Sequence, residues 1–122
     1  MASLELCSAG AEFAGWYEAP FPFGKTEFTL KIVSVDQDGS FTGTGTDKQG
    51  EFIVKGTLAS DDVVFVKDYK DGSHTGVKYV GRVEGKCVIG EYRFNYRKMF
   101  INMDICEQFW MEKFKQCIVF YT

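Results

Sequence analysis

The sequence contains little of what many specialised protein classes need. Its 122 residues include only two prolines and one histidine, and no repetitive segment or block of like charges divides them. Few prolines beside thirteen glycines are typical of a domain built from short strands and tight turns. Because neither a linker nor a composition shift interrupts the chain, residues 1–122 are predicted to form a single domain.

Clustered charge and long apolar runs are also missing. The net charge of −3 at pH 7 is spread along the chain, so no basic patch is present and no nucleic-acid partner is expected. No apolar stretch approaches the roughly 20 residues that span a bilayer. The first residues lack the basic and apolar regions of a signal peptide. These absences predict a soluble, cytoplasmic protein with no membrane partner.

The chain has no recognisable metal or redox motif. Its cysteines are Cys7, Cys87, Cys106 and Cys117. They show no Cys-x-x-Cys spacing, and none has a histidine close by in the sequence. His74 stands alone, and a single histidine without a second ligand is more typical of a surface residue than of a metal site. Free thiols are therefore predicted, and no cofactor or metal is expected.

Alternating apolar and polar residues indicate strands along most of the chain. In residues 39–57, Phe41, Gly43 and Gly45 fall on one face and threonines on the other, and the pattern repeats after a turn at residues 47–50. Glycines within these strands imply bends or a close approach of two backbones, which a small closed sheet requires. This hairpin serves as the template for interpreting the remaining segments.

Further strands recur at intervals of about twelve residues, and no helix between them is long enough to connect parallel strands. They are predicted over residues 13–18, 26–35, 62–69, 74–82, 86–94 and 99–105. Successive short strands favour an antiparallel meander, and a 16% aromatic content favours its closure into an all-β, eight-stranded up-and-down barrel. The barrel is expected to cover about residues 13–105. A short helix around Phe109, Trp110 and Phe114, followed by an extra strand, is predicted for the extension 106–122.

Several short segments carry a resemblance to a known family. They are Gly15-Trp16-Tyr17, residues 38–44, residues 52–56, residues 64–67 followed by Tyr69, residues 74–75, residues 79–81 and residues 90–92. In order and strand length they resemble the barrels of the avidin and streptavidin family over residues 13–94. The resemblance implies an eight-stranded antiparallel barrel and the pairing of such barrels through their walls.

The positions that resemble the family's biotin contacts hold different side chains here. These positions are Glu18, Gly45, Asp47, Lys67, Thr75, Val77 and Tyr92. Most differ from the family's residues in charge or size, so the neutral polar head of biotin would face groups it cannot pair with. Each buried unpaired polar group costs about 1–3 kcal/mol. Biotin is therefore not the expected ligand.

The predicted register that places Phe65 and Tyr79 inside also directs Glu18, Asp47 and Lys67 towards the lumen or its mouth. The predicted ligand-binding residues are Trp16, Glu18, Asp47, Phe65, Lys67, Thr75, Tyr79 and Tyr92. Three interpretations of the charged groups remain open. They form a structural ion pair, or the polar end of an aromatic-walled cavity, or a catalytic site in which the lysine acts with Tyr92 or Glu18 as the acid.

The sequence therefore leaves three classes of function open. The first hypothesis is a non-enzymatic barrel that binds an unidentified small molecule in its lumen. The second is a protein-interaction or oligomerisation module whose barrel is filled by its own side chains, and the third is a small enzyme that uses the lysine and carboxylates. The outward-facing apolar residues are Val33, Val64, Val66, Val80 and Ile89. Because they would form an exposed patch, a homodimer or higher homo-oligomer is expected.

Overall fold

The computed structural model describes residues 8–19, 24–98 and 101–113, with side chains for residues 8–18, 24–93 and 108–112. The strands are β1 (Glu12–Ala19), β2 (Gly24–Val35), β3 (Ser40–Asp47), β4 (Gly50–Ala59), β5 (Asp62–Tyr69), β6 (Val77–Glu84), β7 (Cys87–Lys98) and β8 (Ile101–Lys113). Each strand pairs antiparallel with the next, and β8 pairs with β1. The predicted eight-stranded antiparallel meander barrel is therefore confirmed. Within these ranges no helix is both long and apolar enough to cross a membrane.

Glycines allow neighbouring strands of the barrel to approach closely. A Cβ atom on Gly56 of β4 would lie 2.7 Å from the Cα of Phe65 on β5 and still closer to the carbonyl oxygen of Val64. A Cβ on Gly45 of β3 would lie 2.6 Å from the ring of Phe52. These contacts are too short for any side chain larger than hydrogen. The close approach that the glycines of the β3–β4 hairpin predicted is present.

Aromatic rings fill the middle of the lumen. The Tyr79 ring stacks against Phe65 with 4.7 Å between centroids and against Tyr92 with 5.4 Å, and Phe109 meets it edge-on at 4.9 Å. Beyond this layer, an apolar cavity between Phe13 and Met111 has a volume of about 20 Å³. That is room for about one water molecule, whereas ligand pockets measure roughly 300–1,000 Å³.

The last described strand differs from the sequence-based expectation. Phe109 and Trp110 lie in β8, which continues to Lys113, and not in the short helix that their spacing predicted. Pairing with Phe13–Tyr17 of β1 requires this extended backbone, because the open edges of β1 and β8 satisfy each other's hydrogen bonds on closure. The extra strand predicted near the C-terminus falls in residues 114–122, outside the described residues.

The one cysteine whose side chain the structure describes is Cys87, at the start of β7. It is a free, half-buried thiol, as predicted. The side chains of Cys7, Cys106 and Cys117 lie outside the described set. Three expected strand residues, His74, Thr75 and Gly76, lie in the loop before β6, which begins at Val77.

Candidate functional site

One end of the barrel encloses an ion pair. Asp47 is the last residue of β3, and Lys67 lies near the end of β5, opposite Val54 of the intervening strand β4. Lys67 Nζ is 3.4 Å from Asp47 Oδ2, and the two side chains are 4% and 0% exposed. Both positions follow the inward phase of their strands, so the predicted placement of this pair inside the barrel is confirmed.

The Asp47 carboxylate accepts hydrogen bonds on both oxygens. The Tyr17 hydroxyl donates to Oδ2 at 3.1 Å, and the Tyr69 hydroxyl donates to the same oxygen. The backbone N–H of Gln49, in the β3–β4 turn, donates to Oδ1 at 2.8 Å. A buried carboxylate needs such donors to offset its lost hydration. Both carboxylate oxygens therefore have donors within the protein.

The Lys67 ammonium lies within a cage of four aromatic rings. Its Nζ atom is 4.5 Å from the ring centroid of Tyr17, 4.7 Å from Phe52, 4.8 Å from Tyr69 and 5.1 Å from Tyr79. All four distances fall within the roughly 6 Å range over which the negative face of a ring attracts a cation. The rings thus replace part of the ammonium's hydration shell with favourable electrostatic contacts.

Burial changes the titration of this cluster. It lowers the pKa of the Lys67 ammonium to about 8, although the attraction of Asp47 opposes the change. Burial raises the pKa of Tyr17 to about 12. It also raises the pKa of Tyr69, to which the hydrogen bond with Asp47 adds. At neutral pH the lysine is therefore charged, and both tyrosines keep the protons that they donate.

The predicted site residues divide between the lumen and the outside. Those that the structure places inside are Asp47, Phe65, Lys67, Tyr79 and Tyr92. Trp16 and Glu18 alternate with the inward residues of β1 and lie on its outer face, and Thr75 is exposed in the β5–β6 loop. Glu18 contributes its backbone carbonyl to the interior, where it accepts a hydrogen bond from the Tyr92 hydroxyl at 2.5 Å. The structure does not bring the eight residues together as one site.

Sequence reasoning placed Phe52 inside the barrel but missed Tyr17 and Tyr69 as partners of the ion pair. A signal existed for both tyrosines. Tyr69 is two residues beyond Lys67 and therefore shares its face, and Tyr17 shares the phase of Phe13 and Gly15 on β1. The identity of their hydrogen-bond acceptor had no local signal, because Asp47 is 30 residues from Tyr17 in the chain.

The chemistry of the cluster favours a structural link. The charges of Lys67 and Asp47 pair with each other, and the surrounding rings leave the ammonium nearly inaccessible to solvent. The catalytic interpretation paired Lys67 with Glu18 or Tyr92. Glu18 lies on the outer face, and the Tyr92 hydroxyl already donates to a backbone carbonyl. The pair instead connects β3 to β5 over the inner face of β4, with β1 joined through Tyr17.

The outer wall of β5–β7 carries apolar residues in adjoining strands. Val64 of β5 lies directly opposite Val80 of β6, and Ile89 of β7 is the diagonal neighbour of Val80. Val80 and Ile89 are 45% and 37% exposed. Val33 is 55% exposed but belongs to β2, from which β3 and β4 separate the patch. The predicted outward patch is thus confined to β5–β7, and Val33 is not part of it.

Comparison with known proteins provides no homologue. No family model, curated protein or solved structure matches this chain. The closed eight-stranded antiparallel barrel is compatible with a fold-level resemblance to avidin-like barrels. Membership of that family has no support from these comparisons, so function must be argued from the residues themselves.

Proposed function

We propose that this protein is a filled β-barrel that acts as a self-association module, in which two copies pack their β5–β7 walls together. The observation that carries the proposal is the exposure of Val80 and Ile89 on adjoining strands, with Val64 beside them. Apolar side chains grouped on an otherwise polar wall are typical of an interface. The resemblance to avidin-like barrels, which pair through their walls, supports the same arrangement.

Charges around the patch support a second copy as the partner. The acidic groups of Asp62 and Glu91 alternate with the guanidinium groups of Arg82 and Arg93 on the same wall. Within the chain, Arg93 lies 3.5 Å from Glu91 and Arg82 lies 3.9 Å from Asp62. An interface related by twofold symmetry brings a patch against itself. A border of mixed sign can then form cross-pairs, whereas a border of one sign would repel its copy.

A small ligand in the lumen is the alternative function. The polar pair at one end of an aromatic lumen favours it, because ligand sites combine apolar walls with a few polar groups. Packing opposes it, because the rings of Phe65, Tyr79 and Tyr92 stack on one another where a ligand would lie. Native mass spectrometry of protein purified from its own cells separates the two proposals. A bound small molecule of constant mass would support the lumen ligand.

Sedimentation velocity at micromolar concentration tests the self-association. The wild-type chain is expected to sediment as a dimer, and Val80→Lys and Ile89→Lys are each expected to shift it to monomer, because a buried ammonium without a partner is costly. Val33→Lys is the matched control, since it places the same charge on an equally apolar exposed position outside the patch. Wild-type protein that sediments as a monomer, or dissociation by Val33→Lys as well, would disprove this proposal.

A further inference from the structure

The outer wall of β8, β1 and β2 contains a groove of about 480 Å³, within the roughly 300–1,000 Å³ of ligand sites. The chain's two tryptophans, Trp16 and Trp110, lie directly opposite each other in the β1–β8 ladder, on its outward face. Both rings are half-buried and line this tryptophan groove. Paired tryptophans on a sheet surface are typical of the residues that dominate binding interfaces.

Small residues form the floor of the tryptophan groove. They are Ala14, Gly15, Thr29 and Thr46. The Thr29 and Thr46 hydroxyls lie 3.3 Å apart and supply polar groups along the floor. Because these side chains are small, the floor of the tryptophan groove beside the two rings is open to an extended peptide segment.

Two carboxylates accompany the tryptophans. Glu27 lies opposite Trp16 in the β1–β2 ladder, and Glu112 is two residues beyond Trp110 on β8, opposite Ala14. Both glutamates are exposed and line the tryptophan groove. Each ring therefore has a negative charge close by on the same face. This combination selects for a positively charged group that also has a flat or apolar surface.

The chain itself supplies an example of that selection. The Lys25 ammonium lies 4.4 Å from the centroid of the Trp16 ring. Lys25 is an exposed residue of β2, so its ammonium can leave the ring without disturbing the core. The face of Trp16 thus already holds a cation, and that cation is displaceable.

We infer that the tryptophan groove binds an arginine side chain in an extended segment of a partner protein. A guanidinium group stacks on aromatic faces and forms paired hydrogen bonds with a carboxylate, so it uses both features of the groove at once. Lys25 occupies the Trp16 face in the absence of the partner and is displaced on binding. Trp110 lies opposite Ile89 in the β7–β8 ladder, so the tryptophan groove adjoins the β5–β7 patch. The inference itself does not depend on self-association.

Intrinsic fluorescence tests the inference, because both tryptophans of the chain lie in the groove. The full chain is titrated with a capped Gly-Arg-Gly-Arg-Gly peptide and with the same peptide carrying citrulline, the neutral analogue of arginine. Saturable quenching by the arginine peptide is expected below about 1 mM, with at least about fivefold weaker binding of the citrulline peptide. Affinity should also fall as salt rises.

Substitutions test which side chains of the tryptophan groove bind the arginine peptide. Glu27→Gln and Glu112→Gln are each expected to weaken the arginine peptide up to about fivefold, and Trp16→Leu about fivefold or more. Asp61→Asn is the control, because it removes an exposed carboxylate from the turn between β4 and β5, and neither of these strands lines the groove. Lys25→Met should strengthen binding by about threefold, since it removes a competing cation.

Several outcomes would overturn the inference. They are a lack of saturable quenching up to about 1 mM peptide, equal binding of the citrulline peptide, and equal effects of Asp61→Asn and Glu27→Gln. Saturation by cellotetraose without a response to arginine would instead identify a sugar-binding surface. Repeating the titration with Val80→Lys separates this inference from the proposed self-association, because the monomeric variant should bind the peptide at least as tightly as the wild type does.

Discussion

Lys67 of β5 and Asp47 of β3 form an ion pair inside the barrel, with Nζ 3.4 Å from Oδ2 and neither side chain more than 4% exposed. The two residues belong to strands that flank β4, so their contact connects wall segments that share no backbone hydrogen bonds. Each of the two buried charges depends on the other for compensation. Removing one partner leaves the other charge buried without compensation.

Lys67→Met is expected to lower the free energy of unfolding by about 3–5 kcal/mol, because the Asp47 carboxylate then loses both its counter-ion and the N–H donor that even a neutral lysine keeps. Urea denaturation of the purified chain measures this loss. The double variant Lys67→Met/Asp47→Asn is the control, because it removes both charges and should recover part of the stability. Unchanged stability of the single variant would contradict a structural role and favour a functional one.

Tyr69→Phe and Tyr17→Phe should each reduce the free energy of unfolding by about 1–3 kcal/mol, since each removes a hydroxyl that donates to the buried Asp47 carboxylate. The measurement is a double-mutant cycle with Asp47→Asn. In that background the tyrosine substitutions should cost less, because the acceptor is no longer charged. Equal costs in both backgrounds would show that the hydroxyls act independently of the carboxylate.

The stability of the barrel should rise between about pH 8 and pH 10. The folded-state pKa of Lys67 is about 8, against an ordinary value of 10.5, so in this range the unfolded chain binds more protons at this residue. This group then adds at most about 1.4 kcal/mol per pH unit to the free energy of unfolding. Above about pH 10 the raised pKa values of Tyr17 and Tyr69 act in the opposite direction, because the unfolded tyrosines ionise first.

Urea midpoints at about pH 7, 8.5 and 9.5 measure this dependence. The Lys67→Met variant is the control, since it lacks the titrating ammonium and should lose the rise. A similar rise in both proteins would assign it to other groups.

Gly56→Ala should destabilise the barrel by about 3 kcal/mol, because the new methyl group overlaps the backbone of β5 and the strands must separate to admit it. Gly72→Ala separates this overlap from loss of glycine's backbone freedom. Gly72 has a φ of 79° and no atom within 4 Å of an added Cβ, so it should cost about 1–2 kcal/mol through strain alone. Thermal melts of the two variants give the comparison. A larger loss for Gly72→Ala would contradict the close approach at Gly56.

The strands could be predicted because the alternation of apolar and polar residues is a property of neighbouring positions in the sequence. An alternation with a period of two places Phe41 and Asp47 on one face of β3, and Phe65 and Lys67 on one face of β5, whatever the partner strands are. The interior ion pair could therefore be predicted. Glycines within β3 and β4 likewise indicated close backbone approach, because no other residue permits it.

The outer groove and the partners of the ion pair were decided by contacts distant in sequence. Phe109 and Trp110 have a spacing that also suits a helix, and pairing with β7 on one side and β1 on the other makes them part of a strand. The pairing with β1 places Trp110 opposite Trp16, whereas the register of β1, β2 and β3 brings the Tyr17 hydroxyl to Asp47. The sequence by itself determined the strands, the turns and the inward phase of Lys67 and Asp47. The tertiary structure decided barrel closure at β8 and the neighbours of each side chain, because cross-strand register follows from the closed hydrogen-bond ladder and has no local signal.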